Sequence, residues 1–180
     1  MPKKNDTRDR VLRTAATLFR TQGYHATGLN QVLAEGGAPK GSLYFHFPGG
    51  KEQLAVESLQ LSGGELCEQL KLAASLDDVI DLLATALVES GFRDGCPITT
   101  VALDAAGESE QIREACDTAY LSWEGVIADH LERQGVAEPK ALATTVLATI
   151  EGALILARTR KDVTPLRQAG DHLKLLIHKE

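Results

Sequence analysis

The stretch from Thr27 to Lys51, TGLNQVLAEGGAPKGSLYFHFPGGK, limits what this chain can fold into more than any other. Leu29, Val32 and Leu33 follow the i, i+3, i+4 spacing of a short amphipathic helix. Thr27 precedes it and can cap its free amides with a hydroxyl. Gly36 and Gly37 stop it, because glycine accepts the left-handed backbone of a tight C-terminal turn. Pro39 suits the first turn of a second helix, where no backbone N–H is needed. That helix is expected from about Lys40 to Phe47, with Leu43 and Phe47 turned inward. Two short helices joined by about three or four residues make a helix-turn-helix, whose second helix enters the DNA major groove.

The side chains left on the outside suit that task. Lys40, Ser42, Tyr44 and His46 face outward or sideways, although Tyr44 is expected to bury one face. Gly41 has no side chain to hold the helix off a groove, and Ser42 can exchange hydrogen bonds with base edges. Lys40, Tyr44 and His46 offer donors to phosphate oxygens. Lys51 opens the next helix after Gly49 and Gly50, where free amides and the helix dipole favour phosphate. Charge points the same way. Residues 1–52 carry eight Lys/Arg (Lys3, Lys4, Arg8, Arg10, Arg13, Arg20, Lys40, Lys51) against Asp6, Asp9, Glu35 and Glu52, a balance of +4. The whole chain stands at −6, so the remainder carries −10. A basic head on an acidic body concentrates phosphate attraction at one end.

Elsewhere the pattern predicts helix after helix and no strand. Helix 1 is expected over about 7–22, ending at Gly23, behind a mobile arm formed by MPKKNDTRDR. A long helix from Lys51 to about Ala74 is loosened at Ser62-Gly63-Gly64. Ser75-Leu76-Asp77-Asp78 gives a capping-box start to a helix running to about Phe92. After a break at Arg93–Pro97 a short helix ends near Gly107, and helices over 109–134 and 139–160 follow. Thr164 caps the last, with Pro165 at its first position, and it runs to about 178. Ala141–Ala157 is the most membrane-like segment. Its three threonines, Glu151 and a length short of about 20 residues favour a buried helix, so no membrane partner is expected. The N-terminus has no apolar run after its basic residues and reads as no secretory signal.

The last two helices carry more apolar surface than one small core needs, which suggests a homodimer. Leu142, Val146, Ile150 and Ala153 line one, and Leu166, Ala169, Leu173 and Leu176 line the other. The middle helices offer a pocket of the kind that bundles form between their helices. Its expected lining is Leu87, Phe92, Cys96, Leu103, Tyr120, Trp123 and Ile127, with Thr100 and Asp104 as polar orienters. The three cysteines, Cys67, Cys96 and Cys116, are odd in number and too far apart for a zinc motif, which fits a reducing cytoplasm. No histidine pair with metal-ligand spacing, no Ser/His/Asp arrangement and no phosphate-binding loop occurs, so no metal or other cofactor is expected. Two other readings stay open. One is a redox-responsive regulator using Cys96; the other is a small all-α enzyme using Cys96 with His130 or Asp104.

At the head the chain resembles the TetR family of bacterial transcriptional regulators. The family's reading head ends in a pattern close to G-x-x-K-G-x-L-Y-x-H-F-x-x-K. Here Gly37, Lys40-Gly41, Leu43-Tyr44, His46-Phe47 and Lys51 supply it, with Gly23-Tyr24 and Thr27 upstream and Gly28 where the family often has Ser or Thr. The resemblance implies an all-α fold: a three-helix helix-turn-helix head over residues 1–50 and a helical ligand-binding and dimerisation bundle over 51–180. It implies a repressor that binds a palindromic operator as a dimer, through Thr27, Lys40, Gly41, Ser42, Tyr44, His46 and Lys51. A small apolar or aromatic effector would wedge the body helices and swing the long helix that carries the head. The Pro48–Lys51 turn and the Gly95–Ile98 break are similar to a subgroup near repressors of multidrug-efflux genes, some of whose effectors are planar aromatic compounds such as flavonoids.

Overall fold

The computed structural model of the protein describes residues 4–177, and among them every regular element is an α-helix. The helices are α1 (Lys4–Gln22), α2 (Leu29–Glu35), α3 (Ser42–His46), α4 (Gly50–Leu72), α5 (Leu76–Glu89), α6 (Thr99–Ala105), α7 (Glu110–Arg133), α8 (Pro139–Arg160) and α9 (Thr164–Ile177). Helix α1 starts earlier than its apolar periodicity predicts. The expected arm is therefore already helical from Lys4, and its first three residues lie outside the described residues.

The chain divides into two compact units. The first comprises the described residues through Gly64 together with Pro97–Ala119; the second comprises Glu65–Cys96 and the chain from Tyr120 onward. In the first unit α1 packs on α2 and on α6. Val11, Ala15, Leu18 and Phe19 of α1, Val32 and Leu33 of α2, Leu43 and Phe47, and Leu54 and Ala55 of α4 are among its buried apolar residues. The glycines that end α2 have different jobs. Gly36 is right-handed, and a Cβ there would lie 2.9 Å from the Val32 carbonyl and 3.3 Å from Thr14 Oγ1, so it permits close approach. Gly37, at φ +60, takes the left-handed position. Ala38 N–H then donates to the Leu33 carbonyl at 2.9 Å and Gly37 N–H to that of Ala34 at 3.3 Å, the paired bonds of a Schellman end.

Helix α4 runs unbroken through Gly63 and Gly64, where loosening is expected. A Cβ on Gly63 would lie 2.9 Å from Ala119 Cβ, so the residue serves close packing against α7 rather than flexibility. In the second unit, α9 packs on α8 and α5. The capping box that opens α5 is present: Asp78 N–H donates to Ser75 Oγ at 3.2 Å and Ser75 N–H to Asp78 Oδ2 at 2.9 Å. The helix stops at Glu89, earlier than expected, because Gly91 and Phe92 are both left-handed. The start of α9 is held by Asp162, whose Oδ1 accepts from Thr164 N–H at 3.0 Å and from its hydroxyl at 2.8 Å, so Thr164 is the capped residue and not the cap. Helix α8 is long and apolar enough, by length and composition, to cross a membrane. Here Ala143, Val146, Ile150, Ala153, Leu154 and Ala157 of α8 are buried, and the helix packs on α9.

Candidate nucleic-acid interface

The second short helix begins later than its sequence suggests. Pro39 carbonyl accepts both Ser42 N–H at 2.9 Å and Ser42 Oγ at 2.7 Å, closing a turn over 39–42. Helix α3 therefore covers only Ser42–His46, and residues 36–41, more than the expected three or four, separate it from α2. Lys40 sits in that turn and is exposed; Gly41 is the N-cap, with nothing within 4 Å of where a Cβ would stand. Leu43 and Phe47 are buried, as their spacing predicts. Tyr44 is 66% exposed and rests one ring edge 3.6 Å from the Cβ position of Gly50. His46 is half-buried, its ring edge-on to Phe45 at 5.0 Å between centroids.

Three expectations about this head change. Thr27 does not cap α2: the N-cap is Gly28, which has no side chain to bond. Thr27 is wholly buried, donates its hydroxyl to the Gly23 carbonyl at 2.6 Å and accepts from Gln22 Nε2 at 3.2 Å. The turn between α1 and α2 draws the hydroxyl inward because Gly23, left-handed at φ +87, aims its carbonyl there. Lys51 leans back onto the protein. Its Nζ lies 4.5 Å from the Tyr24 ring centroid and donates to the His25 carbonyl at 3.5 Å. Burial holds its pKa below the ordinary lysine value, although Asp104 pulls the other way. The amide of Gly49 at the start of α4 is met by Gln53 Oε1 at 2.8 Å. Finally, part of the positive charge of the head is spent internally. Arg8 forms an ion pair with Glu57 and stacks 4.9 Å over the Phe47 ring. Arg10 bonds Asp6 at 3.1 Å and the Gly36 carbonyl at 3.2 Å, closing the end of α2.

The first unit also ties α6 to the turn between α1 and α2. Asp104 Oδ2 accepts from His25 N–H at 2.7 Å, and His25 Nε2 lies 3.1 Å from the Asp104 carbonyl and 3.3 Å from Glu108 Oε2. Asp104 Oδ2 is also 3.0 Å from where a Cβ of Gly23 would stand, and Thr100 Cγ2 is 3.9 Å from it. Ser109 Oγ donates to Glu52 Oε1 at 2.5 Å while accepting from Ile112 N–H at 3.2 Å, joining the start of α7 to α4.

Of the residues assigned from sequence to an effector pocket, Thr100 and Asp104 thus face the head, and Leu103 is 79% exposed. The regular helical spacing of α6 cannot tell which neighbour its polar face meets. In the second unit Leu87, Cys96 and Trp123 are buried, and Phe92 and Tyr120 are half-buried. Trp123 stands edge-on to Tyr120 at 5.6 Å, and Ile127 packs against the buried Ala128, Leu131 and Ala143. The three cysteines are free thiols and buried, and burial pushes Cys116 up to about 11.

The apolar stripes assigned to a dimer face also divide. Val146, Ile150, Ala153, Leu166 and Leu173 are buried within one chain, and Leu142 and Ala169 are half-buried. Only Leu176 of that set is open, together with Ile155, Leu156 and Leu175. The strongest apolar periodicity of each helix marks the side its own core uses, which leaves a second, shorter stripe outside.

Comparison with known proteins agrees with this architecture. A family model described as "Bacterial regulatory proteins, tetR family" matches residues 11–57, and one described as "Transcriptional regulator LmrA/YxaF-like, C-terminal domain" matches residues 73–172. The chain is 38% identical to the uncharacterized HTH-type transcriptional regulator YxaF of Bacillus subtilis, with 100% of both chains covered. It is 40% identical to the HTH-type transcriptional regulator LmrA of the same organism, over 89% of this chain and 91% of that one. A TetR transcriptional regulator from Chloroflexus aurantiacus superposes with a TM-score of 0.81 at 28% identity, covering 99% of this chain and 98% of the other.

Proposed function

Since the chain belongs to the TetR family of bacterial regulatory proteins and is a DNA-binding transcriptional regulator, we propose that it is a cytoplasmic repressor that binds a palindromic operator as a homodimer and lets go when a small apolar or aromatic effector binds. Its relatives are regulators and not enzymes, which sets aside a reaction at Cys96 with His130 or Asp104. The observation that carries the proposal is the two-sided character of α3. Leu43 and Phe47 hold it to the head while Tyr44, Phe45 and the open Gly41 stand outward beside Lys40 and Ser42. In this reading residues 1–50 read DNA and 51–180 carry effector binding and dimerisation. Lys40, Gly41, Ser42, Tyr44 and His46 meet the duplex, while Thr27 and Lys51 act from behind by fixing the turn between α1 and α2.

Dimerisation is assigned to Gly152, Ile155 and Leu156 of α8 with Leu175 and Leu176 of α9. The α8 residues share one helical face, and apart from the helix's own backbone no atom of the described residues lies within 4 Å of the Cβ position of Gly152. Two heads so joined must meet successive major grooves about 34–36 Å apart. Effector binding is assigned near the half-buried Tyr120, beside the buried Trp123, with a planar aromatic compound as the class that would stack on the tyrosine ring. The tie between Asp104 and His25 supports α6 as the element through which the effector acts on the head.

The test is a footprint on the gene's own upstream region, titrated against salt and unrelated DNA. Two protected half-sites one helical turn apart are expected. A uniform, sequence-blind footprint, there and on duplexes selected from random DNA, overturns the operator reading. A planar aromatic effector is expected to quench Trp123, the single tryptophan, and to release the duplex at matching concentrations.

A further inference from the structure

We propose that Phe45 is a specificity-determining residue that reads the C5-methyl group of thymine, a finer assignment that rests on the operator-binding function above. Successive residues of a helix turn by about 100°, so Phe45 stands about 200° from both Leu43 and Phe47. Those two side chains are buried in the head, which puts Phe45 on the outward crest of α3, on the side of the helix opposite them. It is 63% exposed there. Its ring has neither donor nor acceptor, so it cannot take the phosphate-binding role open to Tyr44 and His46. What an apolar side chain recognises on a base edge is the thymine methyl, which protrudes only into the major groove.

The surroundings fit a small apolar reading spot inside a polar rim. His46 meets the Phe45 ring edge-on at 5.0 Å between centroids, which steadies its orientation. Gly41 lies one turn earlier on the same crest. Its φ of −78 is open to any residue and, among the described residues, nothing stands within 4 Å of its Cβ position, so neither its backbone nor their packing requires glycine. A base pair approaching the Phe45 ring does require it, because a side chain at 41 would project beside the ring.

The experiment uses the full chain and duplexes enriched from a random DNA pool. In the enriched duplex each thymine is replaced singly by uracil, which removes the methyl and leaves base pairing intact. The wild-type chain is expected to lose about fourfold in affinity at one or two positions per half-site, the worth of one buried methyl group. Phe45→Ala should bind uracil and thymine equally at those positions, and Phe45→Tyr, which keeps the ring, should retain the preference. Gly41→Ala should weaken binding with an unchanged unfolding midpoint. Uracil tolerated at every position, or a preference that survives in Phe45→Ala, overturns the assignment. If no duplex is enriched at all, the operator-binding function falls and this assignment with it; an enriched duplex that tolerates uracil removes only the role of Phe45.

Discussion

Thr27 illustrates how a single buried hydroxyl can hold a turn from inside. Its bond to the Gly23 carbonyl is buried, so removing the oxygen leaves that carbonyl stranded, while the exposed Gln22 keeps its other partners. Thr27→Val is expected to cost about 1–3 kcal/mol in urea unfolding, whereas Thr27→Ser keeps the bond and should cost less. Equal midpoints for the two variants would assign the residue to the surface instead. Among the basic residues, Lys40 is exposed while Arg8 and Arg10 hold the head together. Lys40→Ala should therefore weaken binding to many sequences and reduce the salt slope by about one unit, with no change in stability. Cys116 gives a pH prediction. Burial raises its thiol from an ordinary 9.0 to about 11. The unfolded thiol thus ionises first, and the stabilisation present below pH 9 is lost as pH rises towards 11. Cys116→Ala should flatten that part of the stability curve.

Helix α4 contains a matched pair of glycines with opposite expected behaviour. A Cβ at Gly63 would meet Ala119 Cβ at 2.9 Å, and neither methyl has a rotamer through which to escape. Gly63→Ala should therefore destabilise by about 1–3 kcal/mol from overpacking, partly offset by better helix propensity. Gly64 has nothing within 4 Å, so Gly64→Ala should stabilise by up to about 1 kcal/mol. Denaturation midpoints that move in the same direction for both would contradict the close α4–α7 approach. Helix α6 offers a second element-scale test. Its Asp104 carboxylate holds the His25 amide at 2.7 Å. Asp104→Ala should speed hydrogen exchange at His25 and lower operator affinity, with little effect on Trp123 fluorescence. Exchange at His25 that is unchanged would mean the tie does not persist in solution.

For the whole molecule, the decisive property is the number of chains in the binding species. Ile155→Glu with Leu176→Glu places two charges on the exposed stripe of α8 and α9 without touching the buried residues behind it. The double variant is expected to sediment as a monomer with native helix content and to lose tight operator binding, because a single head reads only one half-site. Val146→Glu, by contrast, would bury a charge within one chain and should unfold it. A double variant that remains dimeric would place the interface elsewhere.

Local rules were enough for much of this chain. The short-range periodicity of α2, the turn at Gly36-Gly37, the Ser75–Asp78 capping box and the bounds of α8 depend on residues within a turn or two of each other, and the sequence by itself determines them. The family pattern from Gly37 to Lys51 belongs to the same class of signal. Phe45 was legible too, since its place opposite Leu43 and Phe47 follows from helical spacing, yet a phenylalanine between two core residues reads as core. What only the tertiary structure decided are the choices between partners far apart in sequence. Thr27 bonds inward rather than capping α2, Asp104 faces His25 rather than a pocket, Gly63 admits Ala119, and Lys51 leans on Tyr24. The same holds for the two apolar stripes of α8 and α9. Helical periodicity says that a face is buried, but only the packed chain says which face its own core consumes and which it leaves exposed.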